Sequence, residues 1–193
     1  MAARSSGVLP FFSGVKVFCV QERRSMLEFL MLGMFPGLIL LAGTMDMFTM
    51  TIPNKLCLAI FAAFFLAAGI AGLPLSTMGW HVVAALIALG ITFLLFASGV
   101  FGGGDAKLTA AIVLWLGPTL AIDFALLAAL LGGVLTIGFL VMRSFSTYTA
   151  AIRSPWAARL LSSNVGIPYG IALSGAAMVV FANSPWFLAA IAP

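Results

Sequence analysis

Charge is what this chain has least of. Only 7% of its 193 residues are Asp, Glu, Lys or Arg, 63% are hydrophobic, and the mean hydropathy is +1.22. A soluble domain carries about a quarter charged residues. A water-facing surface cannot be assembled from this set, so an integral membrane protein is implied. Cysteine is also scarce: Cys19 and Cys57 stand far apart and form no CxxC pair, which leaves no disulfide framework. His81 is the sole histidine, and an ordinary Cys/His zinc site within one chain is thereby excluded. No metal or cofactor is expected, and both cysteines read as small apolar fillers. The net charge of +4 comes from few, scattered basic residues. They suit membrane topology better than nucleic-acid binding, and no nucleic-acid partner is expected.

What is present is a series of apolar runs. Residues 1–26 stand apart, with Arg4, Lys16, Glu22, Arg23 and Arg24 around the short stretch GVLPFFSGVKVFCV. That stretch falls short of the roughly 20 apolar residues a spanning helix needs, and no convincing signal-peptidase site follows it. It reads as a flexible or interfacial leader, with Met26 an alternative start, followed by a membrane domain over 27–193. Spans are expected at 27–45, 56–75 and 79–101. The apolar block 106–142 is too long for one crossing of a core about 30 Å thick. Gly117-Pro118 and Asp123 mark a turn that divides it into a short fourth and a longer fifth span. The sixth lies at 166–184, and the tail PWFLAAIAP is expected at the interface with Trp186 at headgroup level. The fold class is therefore all-α: a polytopic bundle of about six transmembrane helices, with the lipid bilayer as its surroundings.

The links after spans one, three and five carry Lys55, Lys107, and Arg143, Arg153 and Arg159, whereas the opposite links carry no Lys or Arg. The positive-inside rule puts the three basic links in the cytoplasm. On this count the basic residues of the leader fall outside, a conflict that weakens if translation starts at Met26.

Against this background the stretch VFGGGDAK, 100–107, is unusual. Of the five acidic residues, Glu22, Glu28 and Asp123 read as solvated end charges; Asp46 and Asp105 sit at span ends among apolar neighbours. An ionisable group at such depth is a functional hypothesis by default. The ends of spans one and three lie on the same side, so the two carboxylates can meet. Two carboxyls in a partly dry site share one proton: the charged partner accepts a proton from water and the protonated one polarises a peptide carbonyl. Gly102, Gly103 and Gly104 then have a reason. They permit positive φ and close approach of backbone, break the third span, and deliver Asp105 to the start of the next helix. The bland alternative is a tight interhelical turn. In DMFTMTIPNK, 46–55, Pro53 suits the first turn of the second span, Thr51 is a plausible cap, and Asn54 either orients a carboxylate or substrate backbone, or caps.

These motifs together resemble the type IV prepilin peptidases, membrane aspartic proteases with a GxGD motif. Gly102-Gly103-Gly104-Asp105 matches GxGD, Asp46 with Ile52-Pro53-Asn54 matches D-x5-I-P-N, and IPYG at 167–170 is familiar from the small members. The resemblance implies catalysis by Asp46 and Asp105 and cleavage of basic leader peptides from prepilin-like proteins; Gly102, Gly103, Gly104, Lys107, Pro53 and Asn54 are the candidates for substrate binding or site-shaping. It places that reaction at the cytoplasmic face of the bacterial inner membrane, with pilus-assembly or secretion components as partners. The chain looks like the short form associated with tight-adherence (Flp) pili. The 46–55 link has no room for the methyltransferase insert of the long form. Its MFTMT segment is poorer in basic residues than the family's usual link, which bears on leader recognition. Lys107 either biases Asp105 or meets substrate, or else is a snorkelling lysine. His81, near the opposite face, is not expected to be catalytic, and Tyr169 and Trp156 read as interfacial aromatics. The rival classes are a proton- or ion-coupled transporter using the aspartates as a relay, and an inactive subunit of a secretion apparatus.

Overall fold

The computed structural model describes residues 33–146 and 166–191. The expected leader 1–26, the start of the first span, Trp156, Arg153 and Arg159 lie outside the described residues. Among the described residues all regular structure is helical: α1 (Phe35–Thr49), α2 (Asn54–Ala71), α3 (Leu75–Ala97), α4 (Gly103–Ser146), α5 (Tyr169–Phe181) and α6 (Pro185–Ile191). The six expected spans map onto α1, α2, α3, the two limbs of α4, and α5. Three helices, α2, α3 and α4, are long and apolar enough to cross a membrane. Their outward faces are apolar too, with Leu94 and Ile122 each 70% exposed, the pattern of a lipid-facing surface rather than a water-facing one. The chain is a multi-pass membrane protein.

The division of the long apolar block falls at Gly117-Pro118. Gly117 has φ 72° and ψ −179°, outside helical geometry, and Pro118 follows it. Pro removes an N–H and clashes with the preceding turn, so the helix is interrupted there. The second limb restarts at once, and exposed Asp123 belongs to it rather than to the turn.

The first limb, 103–116, is the centre of the bundle. Leu108, Ala111, Ile112, Leu114, Trp115 and Leu116 are all buried, and α4 packs against α2, α3 and α5. Trp115 anchors this centre. Its indole Nε1–H donates to the Ile60 carbonyl at 2.9 Å, and its ring lies 4.7 Å from Phe35. Trp186 is not an interfacial tail residue. It is buried, its Nε1–H donates to the Trp115 carbonyl at 3.1 Å, and its ring packs near Phe64 and His81. The turn before Pro185 folds α6 back onto the core, where the indole N–H finds a partner that an apolar exterior would deny it.

Where α1 and α5 cross, small residues permit close approach. A Cβ on Gly43 would lie 2.7 Å from Ser174 Oγ, and the Ser174 hydroxyl donates to the Ile39 carbonyl at 2.9 Å. This crossing brings the start of α5 to the end of α1.

Candidate active site

Asp46 lies in the last turn of α1. Met50 terminates that helix in the left-handed conformation (φ 55°), its N–H bonded to the Asp46 carbonyl at 2.9 Å. A non-glycine residue is uncommon there and costs about 1–2 kcal/mol. The side chain of Asp46 is 6% exposed, and its Oδ2 accepts a 2.7 Å hydrogen bond from the Gly170 backbone N–H at the start of α5. That N–H belongs to the first turn of α5, which has no intrahelical acceptor for it, so the carboxylate satisfies an orphan donor. Glycine is needed at 170: a Cβ there would sit 2.8 Å from both Cβ and Oδ2 of Asp46.

Asp105 is the third residue of α4, and its Oδ2 lies against the Gly102 backbone, where a Cβ would come within 2.6 Å of it. An acidic residue at the third helical position, facing the residue before the helix, has the placement of the acidic member of a capping box. Asp105 is close enough to Asp46 for the charge of one to act on the other. The structure thus brings both sequence-nominated carboxylates to one end of the bundle, each against glycine backbone at a helix start.

The three glycines do not act through positive φ. Among the described residues the left-handed glycines are Gly72, Gly99 and Gly117, and the third span is broken upstream by Gly99 (φ 76°). Gly102–Gly104 act through close approach instead. A Cβ on Gly102 would meet Asp105 Oδ2 at 2.6 Å, one on Gly103 would press on the Phe96 ring at 3.3 Å, and one on Gly104 would lie 3.3 Å from Ile52 Cβ. The last contact packs the IPN segment directly over the GGGD segment.

Pro53 stands one position outside α2, as its N-cap (φ −62°, ψ 135°), rather than in the first turn. Thr51 is not the cap. Its hydroxyl pairs with that of Thr49 at 2.9 Å. Asn54 and Lys107 are joined: Lys107 Nζ donates to Asn54 Oδ1 at 2.8 Å, both side chains being exposed. Lys107 thereby ties the start of α2 to the start of α4. Cys57, buried in the first turn of α2, is within electrostatic reach of both Lys107 and Asp105. Arg143 donates from Nη2 to the Gly166 carbonyl at 3.2 Å, close to the start of α5.

Tyr169 was not legible as a site residue. Far from being a plain interfacial aromatic, it donates its hydroxyl to the Ala128 carbonyl at 3.1 Å and sets its ring 5.2 Å from Phe101, within reach of the Asp105 charge. A Cβ on Gly132 would run into its ring. The sequence signal was the IPYG run itself, an aromatic and a glycine opening a helix. His81 is remote, as expected. Its Nδ1–H donates to the Leu114 carbonyl at 2.8 Å, and its ring fills the space left by Gly117, where a Cβ would lie 2.7 Å from Cε1. Twelve residues of helix, about 18 Å, separate Gly117 from Asp105. Among the described residues, no three of His, Cys, Asp and Glu cluster as a metal site would require.

The fold and site define a polytopic helical membrane protein with two carboxylates gathered beneath glycine-rich backbone at one end. Comparison with protein families narrows this class. The model of the type IV leader peptidase family matches residues 33–137, more than half of the chain and a range that includes both carboxylates and the glycines. The chain belongs to that family, and with it comes a leader-peptidase activity on type IV prepilin-like substrates. No curated protein and no solved structure matches. Membership in a family of peptidases displaces the transporter reading.

Proposed function

We propose that this protein is an aspartic endopeptidase in which Asp46 and Asp105 activate a water molecule to cleave basic leader peptides from prepilin-like proteins of the tight-adherence (Flp) type. Cleavage takes place at the cytoplasmic face of the bacterial inner membrane, within a peptidase domain covering 27–193. The observation that carries the reading is the convergence of Asp46 and Asp105, from separate helices, at one end of the bundle.

The chemistry follows from two like charges in a partly dry site, which hold one proton between them. The charged carboxylate takes a proton from water as its oxygen attacks the scissile carbonyl. The protonated carboxyl hydrogen-bonds that carbonyl and stabilises the oxyanion. Collapse of the tetrahedral intermediate breaks the C–N bond, and the leaving amine takes a proton from the pair. The N–H of Gly170 holds Asp46 in place through the cycle, and the close Gly102 backbone confines Asp105. Gly104 leaves the crossing IPN backbone close to Asp105. The joined pair Lys107 and Asn54, with Pro53 fixing the turn before α2, keeps the two motif-bearing segments in register.

Co-expression with a Flp-type prepilin tests this, with processing read as a gel shift. Wild type cleaves, and Asp46→Asn and Asp105→Asn each accumulate uncleaved substrate at normal membrane levels. Full processing by either variant refutes the dyad; no processing by wild type points to another substrate or to an inactive subunit.

A further inference from the structure

Each candidate carboxylate lies against a glycine, and each of those glycines follows an aromatic residue. Asp46 Oδ2 accepts from the Gly170 N–H, next to Tyr169; Asp105 Oδ2 lies against Gly102, next to Phe101. The two aromatics meet. Their ring centroids are 5.2 Å apart and their planes are inclined at 68°, an edge-to-face pair. The ring quadrupoles favour that arrangement, and they favour it over a narrow range of separations, about 4.5–7 Å. The pair therefore joins the residue that precedes the GGGD segment to the residue that opens α5.

Tyr169 is itself anchored. Its hydroxyl donates to the Ala128 carbonyl on the second limb of α4 at 3.1 Å. One turn further along that limb, buried Gly132 leaves a notch for the ring: a Cβ there would overlap Cε2, Cζ and the hydroxyl oxygen of Tyr169. On the other side Pro168 is buried, and its ring fixes the backbone at the entry to α5 (φ −71°). A tyrosine has only two side-chain torsions. Held at its tip by Ala128 and along its edge by the Gly132 notch, this one has a single position. Phe101 is half-buried against it.

We infer that Phe101 and Tyr169 form an aromatic spacer that sets the separation of the two carboxylates, with Ala128 and Gly132 as its footing on α4. The inference rests on the peptidase reading above. Both are positioning residues: the pair acts through Gly102 on Asp105 and through Gly170 on Asp46. The α1–α5 crossing at Gly43 and Ser174 fixes Asp46 relative to α5. The spacer carries that position across to the GGGD segment. The separation matters because two carboxyls share one proton only while they are close, and displacing a reacting group by about 1 Å costs about 100-fold in rate.

The test uses the full chain in membranes with a Flp-type prepilin, and separates kcat from KM. Phe101→Leu and Tyr169→Leu keep an apolar side chain and remove the pair. Each is expected to lower kcat about 10- to 100-fold, with KM within about twofold of wild type. Tyr169→Phe keeps the ring and loses its anchor, and is expected to lower kcat about 2- to 5-fold. Combining Phe101→Leu with Tyr169→Leu is expected to cost far less than the product of the single losses, since either change alone removes the pair. Gly132→Ala dislodges the ring without altering Gly102 or Gly170, and its effect on kcat is expected to vanish in the Tyr169→Leu background. Phe181→Leu is the folding control. It removes the same ring from the far end of α5, against Phe35 and Trp115, and is expected to lower thermal stability in detergent while leaving kcat unchanged at matched membrane levels. If wild type cleaves and the two Leu variants at 101 and 169 lose no more kcat than Phe181→Leu, or raise KM with kcat intact, the spacer is overturned and the peptidase reading stands. If either of them does not reach the membrane, Tyr169→Phe and Gly132→Ala decide by the same comparison. If wild type cleaves no prepilin, the reading beneath it falls and the spacer falls with it.

Discussion

Replacing Gly170 by alanine adds one methyl group at the most crowded point of the candidate site. That methyl would lie 2.8 Å from Asp46 Cβ and Oδ2 and 3.0 Å from Cγ. Van der Waals contact between such atoms begins beyond 3.4 Å, so α1 or α5 must move, or the carboxylate must rotate. The helices are held together by the Ser174–Ile39 hydrogen bond and by the absence of a side chain at Gly43, and overpacking of a fixed interface costs about 1–3 kcal/mol. Rotation of Asp46 instead breaks the 2.7 Å bond from the Gly170 N–H. A hydrogen bond to a charged group is worth about 1.5–3 kcal/mol. Lost from the transition state, it slows cleavage about 10- to 150-fold. The assay is the initial rate of leader cleavage in membranes at matched enzyme levels, with thermal unfolding in detergent measured alongside. Gly138→Ala is the companion variant: it is helical with nothing within 4 Å of its added methyl, and is expected to leave activity unchanged while adding up to about 1 kcal/mol of stability. Wild-type cleavage by Gly170→Ala would refute the view that the start of α5 holds Asp46 in its working position.

Three further outcomes are expected. Gly117→Ala forces a side chain into φ 72° and against the His81 ring at 2.7 Å; it should lower the unfolding temperature, by about 2–4 kcal/mol in stability, read by thermal denaturation in detergent. Tyr169→Phe removes the donor to the Ala128 carbonyl at 3.1 Å, and should cost about 1 kcal/mol in stability and lower the cleavage rate at matched membrane levels. Lys107→Met breaks the exposed bond to Asn54; it should leave stability within about 0.5 kcal/mol of wild type, so any larger fall in cleavage rate is assigned to the site rather than to folding.

The sequence was most legible where local chemistry decides structure. Apolar run lengths give the helices, Gly117-Pro118 gives the break in α4, and the alternation of crossings gives the shared end of Asp46 and Asp105. It was least legible where a contact joins distant segments. GGGD announces a need for small residues, but only packing shows that Gly104 makes room for Ile52 and Gly102 for the Asp105 carboxylate. Lys107 reads as a topology charge until Asn54 is found 2.8 Å away. Trp186 has the composition of an interfacial tail and becomes a core residue because α6 folds back to the Trp115 carbonyl. Tyr169 and Gly170 differ from ordinary helix-opening residues only through partners on α4 and α1.

The bond between Asp46 and Gly170 spans 124 positions of chain, and this has a bearing on biogenesis. During synthesis, at about 5–20 residues per second, α1 is made roughly 6–25 s before its partner N–H emerges. Through that interval Asp46 has no Gly170 to fix it, even after the GGGD segment has joined the membrane. A nascent or truncated chain therefore carries both carboxylates without the element that orients one of them. On the proposed dyad, the site is complete only once α5 docks on α1, and a half-inserted copy lacks the N–H that holds Asp46.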